Sequence, residues 1–481
     1  MASDVSVQNA AVAAMVKLAA PVRTLVAGTD AMKAAGEQYL PKEPMESRAA
    51  YDVRKARSVL FNATGKTVED MAGKVFAKPI APAEDVATKL KDWIENIDLA
   101  GRHLNVFAKD VLTDAIQPGI GYLYVDAPPA VQREDGQRAS LADEKAAGLR
   151  PYLKYVPLEN LLGWKSELVG GVETLTQIRM KEIANEQDPE NEYIEKAVEQ
   201  VRLVTRTVAG MTWQTFRKGK AKDNKDEWVS HEGPFPIVGP TEIPLVPIYI
   251  NRVDFMCGKP PLAKLAELNI AHWQLDSDIG NIMHVANIPI LIAAGVGAED
   301  QLVIGANNMI QTSDPAAKVF YAEHSGAAIG KAMERIANLV LAMQAMGLQL
   351  LIDKPGQTAT GETRDDVKEN SPLAMMAGAL QDALEGAFGF MAQFAKQDPI
   401  KGGSLVVNKD YGISGNTTDV ANILAAYREG VYDIDTTLSE LKRRNFLSDD
   451  ADNEVIALRA EAAKAKRESA LGGGADAGFG E

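Results

Sequence analysis

The chain has 481 residues, more than the ~250–300 at which a single hydrophobic core stops growing, so more than one folding unit is expected. Hydrophobic residues make up 46% and charged residues 24%, which excludes a wholly disordered or fibrous chain. Lys and Arg number 51 against 66 Asp and Glu, a net charge of −15, which argues against tight binding to duplex DNA or anionic lipid, since both need cationic side chains.

Residues 1–35 are Ala-rich and weakly helical. A proline-bracketed loop at 39–44 precedes helical runs at 47–61 and 67–76. Leu90, Trp93, Ile97, Leu104, Phe107, Val111 and Leu112 come next at three-to-four spacing, which predicts a long amphipathic helix over 85–114, interrupted at Gly101. Residues 119–125 read as a strand stopped by Pro128-Pro129. A β-rich module is expected from 152 to 249, with short strands at 201–208, 211–216 and 227–231. Residues 234–247 carry five prolines and read as an extended connector.

Three long helical segments dominate the second half. Leu265, Leu268, His272, Leu275, Ile279, Ile282 and Ala286 alternate by three and four, which predicts a helix of roughly 36 Å at 1.5 Å per residue. Strands are expected at 287–294 and 318–322. The next helix carries Ile329, Met333, Ile336, Val340, Met343 and Leu350 in the same register. A polar loop at 353–370 leads to a third helix, with Ser371 as N-cap and Pro372 in its first turn, burying Leu373, Met376, Leu380, Leu384, Phe388 and Met391. Small helices at 418–428, 436–444 and 452–469 precede a glycine-rich tail at 471–481, expected to be disordered.

Catalytic signals are weak. Gly356 and Gly361 have phosphate-loop spacing, but Glu362 stands where such a loop needs lysine, and an anion there repels phosphate. Gly65-Lys66-Thr67 has the right ending with Leu60 where the first glycine belongs. The single cysteine, Cys257, excludes a disulfide framework and thiolate zinc sites. His272 and His284 lie twelve residues apart on one predicted helix, too far to share a metal, and His272 reads as a core residue, as do Trp93 and Trp273. No metal, cofactor or enzymatic activity is expected. The acidic start Met1-Ala2-Ser3-Asp4 lacks a basic leader, and no stretch reaches ~18 apolar residues, so a soluble chain made in a cytoplasm is expected.

Two long helices flanking a strand-containing excursion lay out a helical hairpin with a β tip. This layout resembles the portal proteins of tailed bacteriophages. Five segments carry the resemblance: Tyr51-Asp-Val-Arg-Lys-Ala-Arg and onward to Phe76, Val156-Pro-Leu-Glu-Asn-Leu-Leu-Gly-Trp164, Pro260-Pro-Leu-Ala-Lys-Leu-Ala-Glu-Leu-Asn-Ile-Ala-His-Trp273 ahead of Ile288-Pro-Ile-Leu-Ile292, Thr358-Ala-Thr-Gly-Glu-Thr363, and Arg428-Glu-Gly-Val-Tyr-Asp-Ile-Asp within 428–442. None is a catalytic signature; their order carries the specificity.

The resemblance implies an α+β, predominantly helical portal fold with wing, two-helix stem, small α/β clip and helical crown. By order, residues 1–258 fall in the wing, 259–286 and 327–352 in the stem helices, and 287–326 in the clip. Residues 353–370 fall in a channel loop, 371–398 in a long wing helix and 399–470 in the crown. It further implies a ring, usually of twelve subunits, at one capsid vertex of the virion, assembled in the host bacterial cytoplasm. Double-stranded DNA would pass its channel without sequence-specific binding, and terminase, major capsid and scaffolding protein, and head–tail adaptor or tail proteins would dock on it. Channel-loop candidates are Lys354, Gln357, Thr358, Thr360, Glu362, Thr363 and Arg364. Stem candidates facing the channel are Lys331, Glu334, Arg335 and Asn338. The rival readings are a nucleotide-dependent enzyme using the 356–363 glycine loop and an oligomeric scaffold that admits no DNA.

Overall fold

The computed structural model describes residues 4–128, 149–188, 191–220, 226–286, 290–294, 316, 318–322, 327–351, 372–409, 417–443, 446–447, 455–456 and 459. The chain divides into two units: Met1–Leu350 with Met375–Val407, and Leu351–Ala374 with Asn408–Glu481.

The N-terminal segment is not a weak helix. It forms α1 (Ala10–Val26), capped by the Asn9 side chain, and α2 (Thr29–Ala35). Alanine spacing hides an apolar stripe, Val12, Met15, Ala19, Val22 and Leu25, that is almost fully buried. Arg23 holds α1 in place. Its guanidinium donates to Asp114 at 2.9 Å and Glu159 at 2.9 Å, and the Tyr155 hydroxyl donates to the same Asp114 at 2.5 Å.

Helices α3 (Arg48–Arg57) and α4 (Ala63–Val75) come next, capped by Ser47 and Asn62. The first turns of α4 contain Gly65-Lys66-Thr67. Lys66 pairs with Asp70 at 2.6 Å and Thr67 Oγ1 donates to the Ala63 carbonyl, so this segment is capped helix and not a phosphate cradle.

After the short β1 (Ala81–Pro82), the helical region expected over 85–114 is interrupted around Gly101, as its sequence predicts, and divides into α5 (Thr88–Trp93) and α6 (Leu104–Ala115). The cause is local polar chemistry. Asp98 accepts from the amides of Ala100 and Arg102, Asn96 accepts from Gly101, and Leu99 and Gly101 take positive φ of 62° and 86°. Asp and Asn side chains compete here with the helical backbone for its own donors.

Strand β2 (Gly121–Asp126) is buried at every position and lies between β3 (Tyr152–Val156) and β9 (Leu245–Ile248) in an antiparallel three-stranded sheet. The other sheet is a five-stranded antiparallel meander: β4 (Leu161–Val169), β5 (Val172–Asp188), β6 (Asn191–Thr207), β7 (Gly210–Lys220) and β8 (Asp226–Ile237). These strands run well past the expected short ones. Pro234 and Pro236 lie inside edge strand β8, where the missing donors cost little, so part of the expected connector is strand. The class is therefore α+β, with helices and a substantial share of strand. The core between α1 and the sheets is built from Val12, Met15, Tyr122, Tyr124, Ile178 and Val204 with their neighbours.

A buried charge cluster joins the two sheets. Glu182, 3% exposed, accepts from Lys154 at 2.7 Å and from Arg202 Nε at 2.9 Å; Arg202 reaches Asp126 at 3.4 Å and lies over Trp213. Burial pushes the Glu182 carboxyl up, but Arg202 and Lys154 outweigh it and hold the group below its ordinary 4.5. A depressed folded-state value contributes stability that is complete above pH 4.5 and is lost as pH falls through the lower folded value. The Glu182→Gln variant is therefore expected to lose less stability than wild type between about pH 6 and about pH 3, measured by urea unfolding. Identical slopes would show that the cluster does not titrate as a unit.

Strands β10 (Arg252–Asp254) and β11 (Cys257–Gly258) form a small ribbon leading into α7 (Ala263–Ala286). Strands β12 (Ile290–Ala294) and β13 (Lys318–Ala322) pair antiparallel, and α8 (Ala327–Leu351) follows. Helix α9 (Pro372–Phe394) buries Leu373, Met376, Leu380, Leu384, Phe388 and Met391 as its spacing predicts; Ser371 lies outside the described residues. Strand β14 (Leu405–Val406) returns to pair with β1. In the second unit, α10 (Thr417–Arg428) and α11 (Ile434–Arg443) bury Ile423 and Leu438, with Gly430 at φ 74° in the turn between them. The predicted helix at 452–469 and the glycine tail lie almost wholly outside the described residues.

Candidate functional site

In chain order, helices α7 and α8 flank the antiparallel β12–β13 ribbon. The base of α7 is anchored by polar contacts as well as by the heptad stripe that the spacing predicts. Asn269, fully buried, accepts at 3.0 Å from both the amide and hydroxyl of Thr64 and donates to the Phe61 carbonyl at 2.8 Å. Farther along the helix, Ser58 donates to Ser277 at 2.8 Å. Arg54, 4% exposed, donates to Glu46 at 2.8 Å, to the Pro41 carbonyl at 2.8 Å and to Asp278 at 3.2 Å. Arginine's fixed fork suits such a buried multi-acceptor site. Burial pushes the Asp278 carboxyl up, against the pull of Arg54.

Of the predicted α7 stripe, Leu265, His272 and Ile279 are buried, Leu268 and Leu275 are half-buried, and Ile282 is 44% exposed. His272 packs its ring on Phe61 at 5.3 Å, and burial lowers its basicity against the pull of Asp276. It is a core residue, as its place on the apolar stripe predicts, and Trp273 and Trp93 are core aromatics. Among the described residues no three His, Cys, Asp or Glu side chains group as a metal site. Sequence reasoning missed Arg54, Asn269, Ser277 and Asp278. The signal available was polar residues on the inward side of an otherwise apolar helix.

Helix α8 is different. No residue from 329 to 342 is buried; Met343 is the first. Met333 is 50% and Leu341 62% exposed. Of the expected stripe over this stretch, Ile329, Ile336 and Val340 are half-buried and Met333 is exposed, so none is fully packed within the chain. Near its far end α8 approaches α4, where a Cβ on Gly347 would meet Thr67 Oγ1 at 3.2 Å.

Lys331, Glu334, Arg335, Asn338 and Leu339 line a shallow depression of about 300 Å³ on α8. Their spacing of three, four, seven and eight residues puts them on one helix face. Lys331 and Glu334 pair at 2.9 Å, both largely in solvent, a contact worth only ~0.2–1 kcal/mol. Arg335 and Asn338 share that face. The loop candidates Lys354, Gln357, Thr358, Thr360, Glu362, Thr363 and Arg364 lie outside the described residues. No described helix is long and apolar enough to cross a membrane.

Helix α7, the β12–β13 ribbon and the exposed helix α8 fall within a stretch that matches known sequences. A family model described as a domain of unknown function, DUF4055, matches residues 261–395, the span holding α7, the β12–β13 ribbon, α8 and α9. No curated protein matches. Among solved structures, the chain is similar at 11% identity and TM-score 0.37 to a chain in the neck of an empty GTA particle computed with C6 symmetry, over 76% of this chain and 85% of that one. It is similar at 11% identity and TM-score 0.34 to a chain in the neck of a native GTA particle computed with C12 symmetry, over 82% and 89%. A third likeness, at 11% identity and TM-score 0.37, is to a chain in the virion of a native gene transfer agent particle, over 86% and 98%.

Proposed function

We propose that this chain is the subunit of a portal-type ring at one vertex of a capsid, a channel for DNA packaging and ejection without catalysis of its own. The observation that carries the reading is α8: a long helix left uncovered from 329 to 342, with apolar Met333 and Leu341 beside the polar face of Lys331, Glu334, Arg335 and Asn338. Apolar side chains exposed along a long helix with no buried residue over 329–342 suit a contact with another copy. Copies standing side by side would cover them and leave the polar face to a shared channel. Homo-oligomers close by rotational symmetry, which makes a ring the natural product of such repeated contacts.

In this reading residues 1–258 form most of the wing, 259–286 and 327–352 the stem, 287–326 the clip and 353–370 a loop reaching the channel. Residues 371–398 form a long wing helix and 399–470 the crown. The clip faces a terminase motor during packaging and adaptor or tail proteins afterwards. The charge balance suits the task. Contacts from lysine and arginine to phosphate supply most non-specific affinity for DNA, and here Lys331 is already paired with Glu334. Screening over ~8 Å leaves only lining side chains to matter to the duplex.

The test is the native mass of the purified protein, with images of the species found. A species near twelve times 51.7 kDa with a central hole wide enough for duplex is expected, either alone or once capsid or scaffolding protein is supplied. A compact dimer or tetramer without a channel would overturn the reading.

A further inference from the structure

Strands β5 and β6 pair without a break in the ladder from Gln177 opposite Thr205 to Gln187 opposite Glu195, closing at Asp188 and Asn191. Their flanking strands stop earlier. β4 pairs with β5 only as far as Met180, and β7 with β6 only as far as Gln200. Among the described residues the far end of the β5–β6 pair is therefore a two-stranded ribbon with no further strand in its ladder, about 20 Å long at ~3.3 Å per residue. Its side chains are largely exposed on both faces, among them Ile183 at 67%, Tyr193 at 89% and Ile194 at 52%. Glu192 and Glu195 stand at its exposed end beside Lys196, while farther back Glu186 is paired with Arg217 of β7 and Glu199 with Lys181 and Lys218. A two-stranded ribbon is marginal in water, and open apolar edges invite pairing. This one has the composition of a surface that is covered by something cationic and apolar.

The same unit carries a surface of that kind. At the end of α3 and the turn into α4, Val53 is 47%, Val59 64% and Phe61 46% exposed. Arg48 and Arg57 lie exposed on the same stretch. Arg48 pairs with Glu37 and Asp52, and Arg57 has no ion-pair partner among the described residues. Apolar residues interleaved with cations on one side match apolar residues interleaved with carboxylates on the other.

We propose that the end of the β5–β6 ribbon docks onto the α3–α4 surface of a second copy of this chain, a clasp between neighbours separate from the α8 face. The clasp rests on the assembly reading only in requiring that copies meet. Opposite charge sets its register and direction, and Val59, Phe61, Tyr193 and Ile194, once covered, supply its apolar contact. Because ribbon and receptor surface differ, the contact is head-to-tail, and head-to-tail contacts generate rings when the rotation closes.

The experiment uses the full chain with Tyr193→Cys and Val59→Cys together, oxidised under native conditions and separated on a denaturing gel. Both positions are exposed, so folding is unaffected, and the half-buried Cys257 in wild type serves as control. A ladder of covalent multimers from the double variant, absent from each single variant, is the expected result. A dimer from Tyr193→Cys alone would mean that ribbons pair with each other through their edges and would overturn the proposal. Absence of any ladder would overturn it equally. Native mass measured on the same samples then shows whether the ring stands without this clasp or whether copies do not assemble at all.

Discussion

Gly119→Ala is expected to cost about 4 kcal/mol or more, enough to unfold much of the protein. Gly119 sits at φ 81°, a conformation that costs an ordinary L-residue ~1–2 kcal/mol. The greater cost is steric. A Cβ there would lie 1.9 Å from the Lys259 carbonyl oxygen, an atom of the backbone that leads into α7. That backbone cannot yield cheaply, because the Lys259 amide donates to the Asn251 carbonyl and the Asn251 amide donates to Gly119 itself at 2.9 Å. Gly101 provides the control: its φ is 86°, yet nothing lies within 4 Å of its Cβ position. Gly101→Ala should cost only the backbone conformation, ~1 kcal/mol. Urea unfolding of the two variants measures the difference, and equal losses would show that the close approach at Gly119 is not maintained.

The second large effect concerns assembly and leaves the subunit intact. Replacing both Met333 and Leu341 by Asp adds charge where the side chains are already half in water. Surface changes of this kind usually shift stability by no more than ~0.5 kcal/mol, so unfolding of the subunit should hardly move. Buried between copies, however, each carboxylate would be desolvated without a partner, and such groups cost several kcal/mol apiece. The assembled species should disappear and the mass fall to 51.7 kDa. Lys331→Ala, on the polar face, should leave the mass unchanged. If the double variant assembled as well as wild type, the apolar side of α8 would not be an interface and the portal reading would lose its main support.

Much of this architecture was legible in the chain because local rules dominate it. Ser47 begins a helix by offering oxygen to a free amide, and Pro372 opens one where it loses no hydrogen bond, whereas α4 starts from its Asn62 cap, ahead of the run expected from 67. The apolar period of α9 is satisfied position by position, since that helix is covered along its length. The strand at 318–322 and the helix after it also come directly from pattern. The interruption expected at Gly101 is present, but its width, leaving 97–103 outside helix, depends on Asp98 and Asn96 capturing amides that the amphipathic pattern assigns to a helix.

The remainder depends on partners far apart in sequence. The β5–β6 ribbon is rich in Glu, and strand formation there comes from its ladder and from the buried Glu182–Arg202–Lys154 cluster, not from hydrophobic alternation. The heptads of α7 and α8 look alike as sequence, yet α7 turns Asn269 and Ser277 inward to meet the α3–α4 segment, while α8 from 329 to 342 buries no residue within its own chain. Periodicity specifies which residues share a face. Only the three-dimensional neighbours determine whether that face is packed, hydrogen-bonded or left open for another copy, because burial is a property of two surfaces and the chain states them hundreds of residues apart.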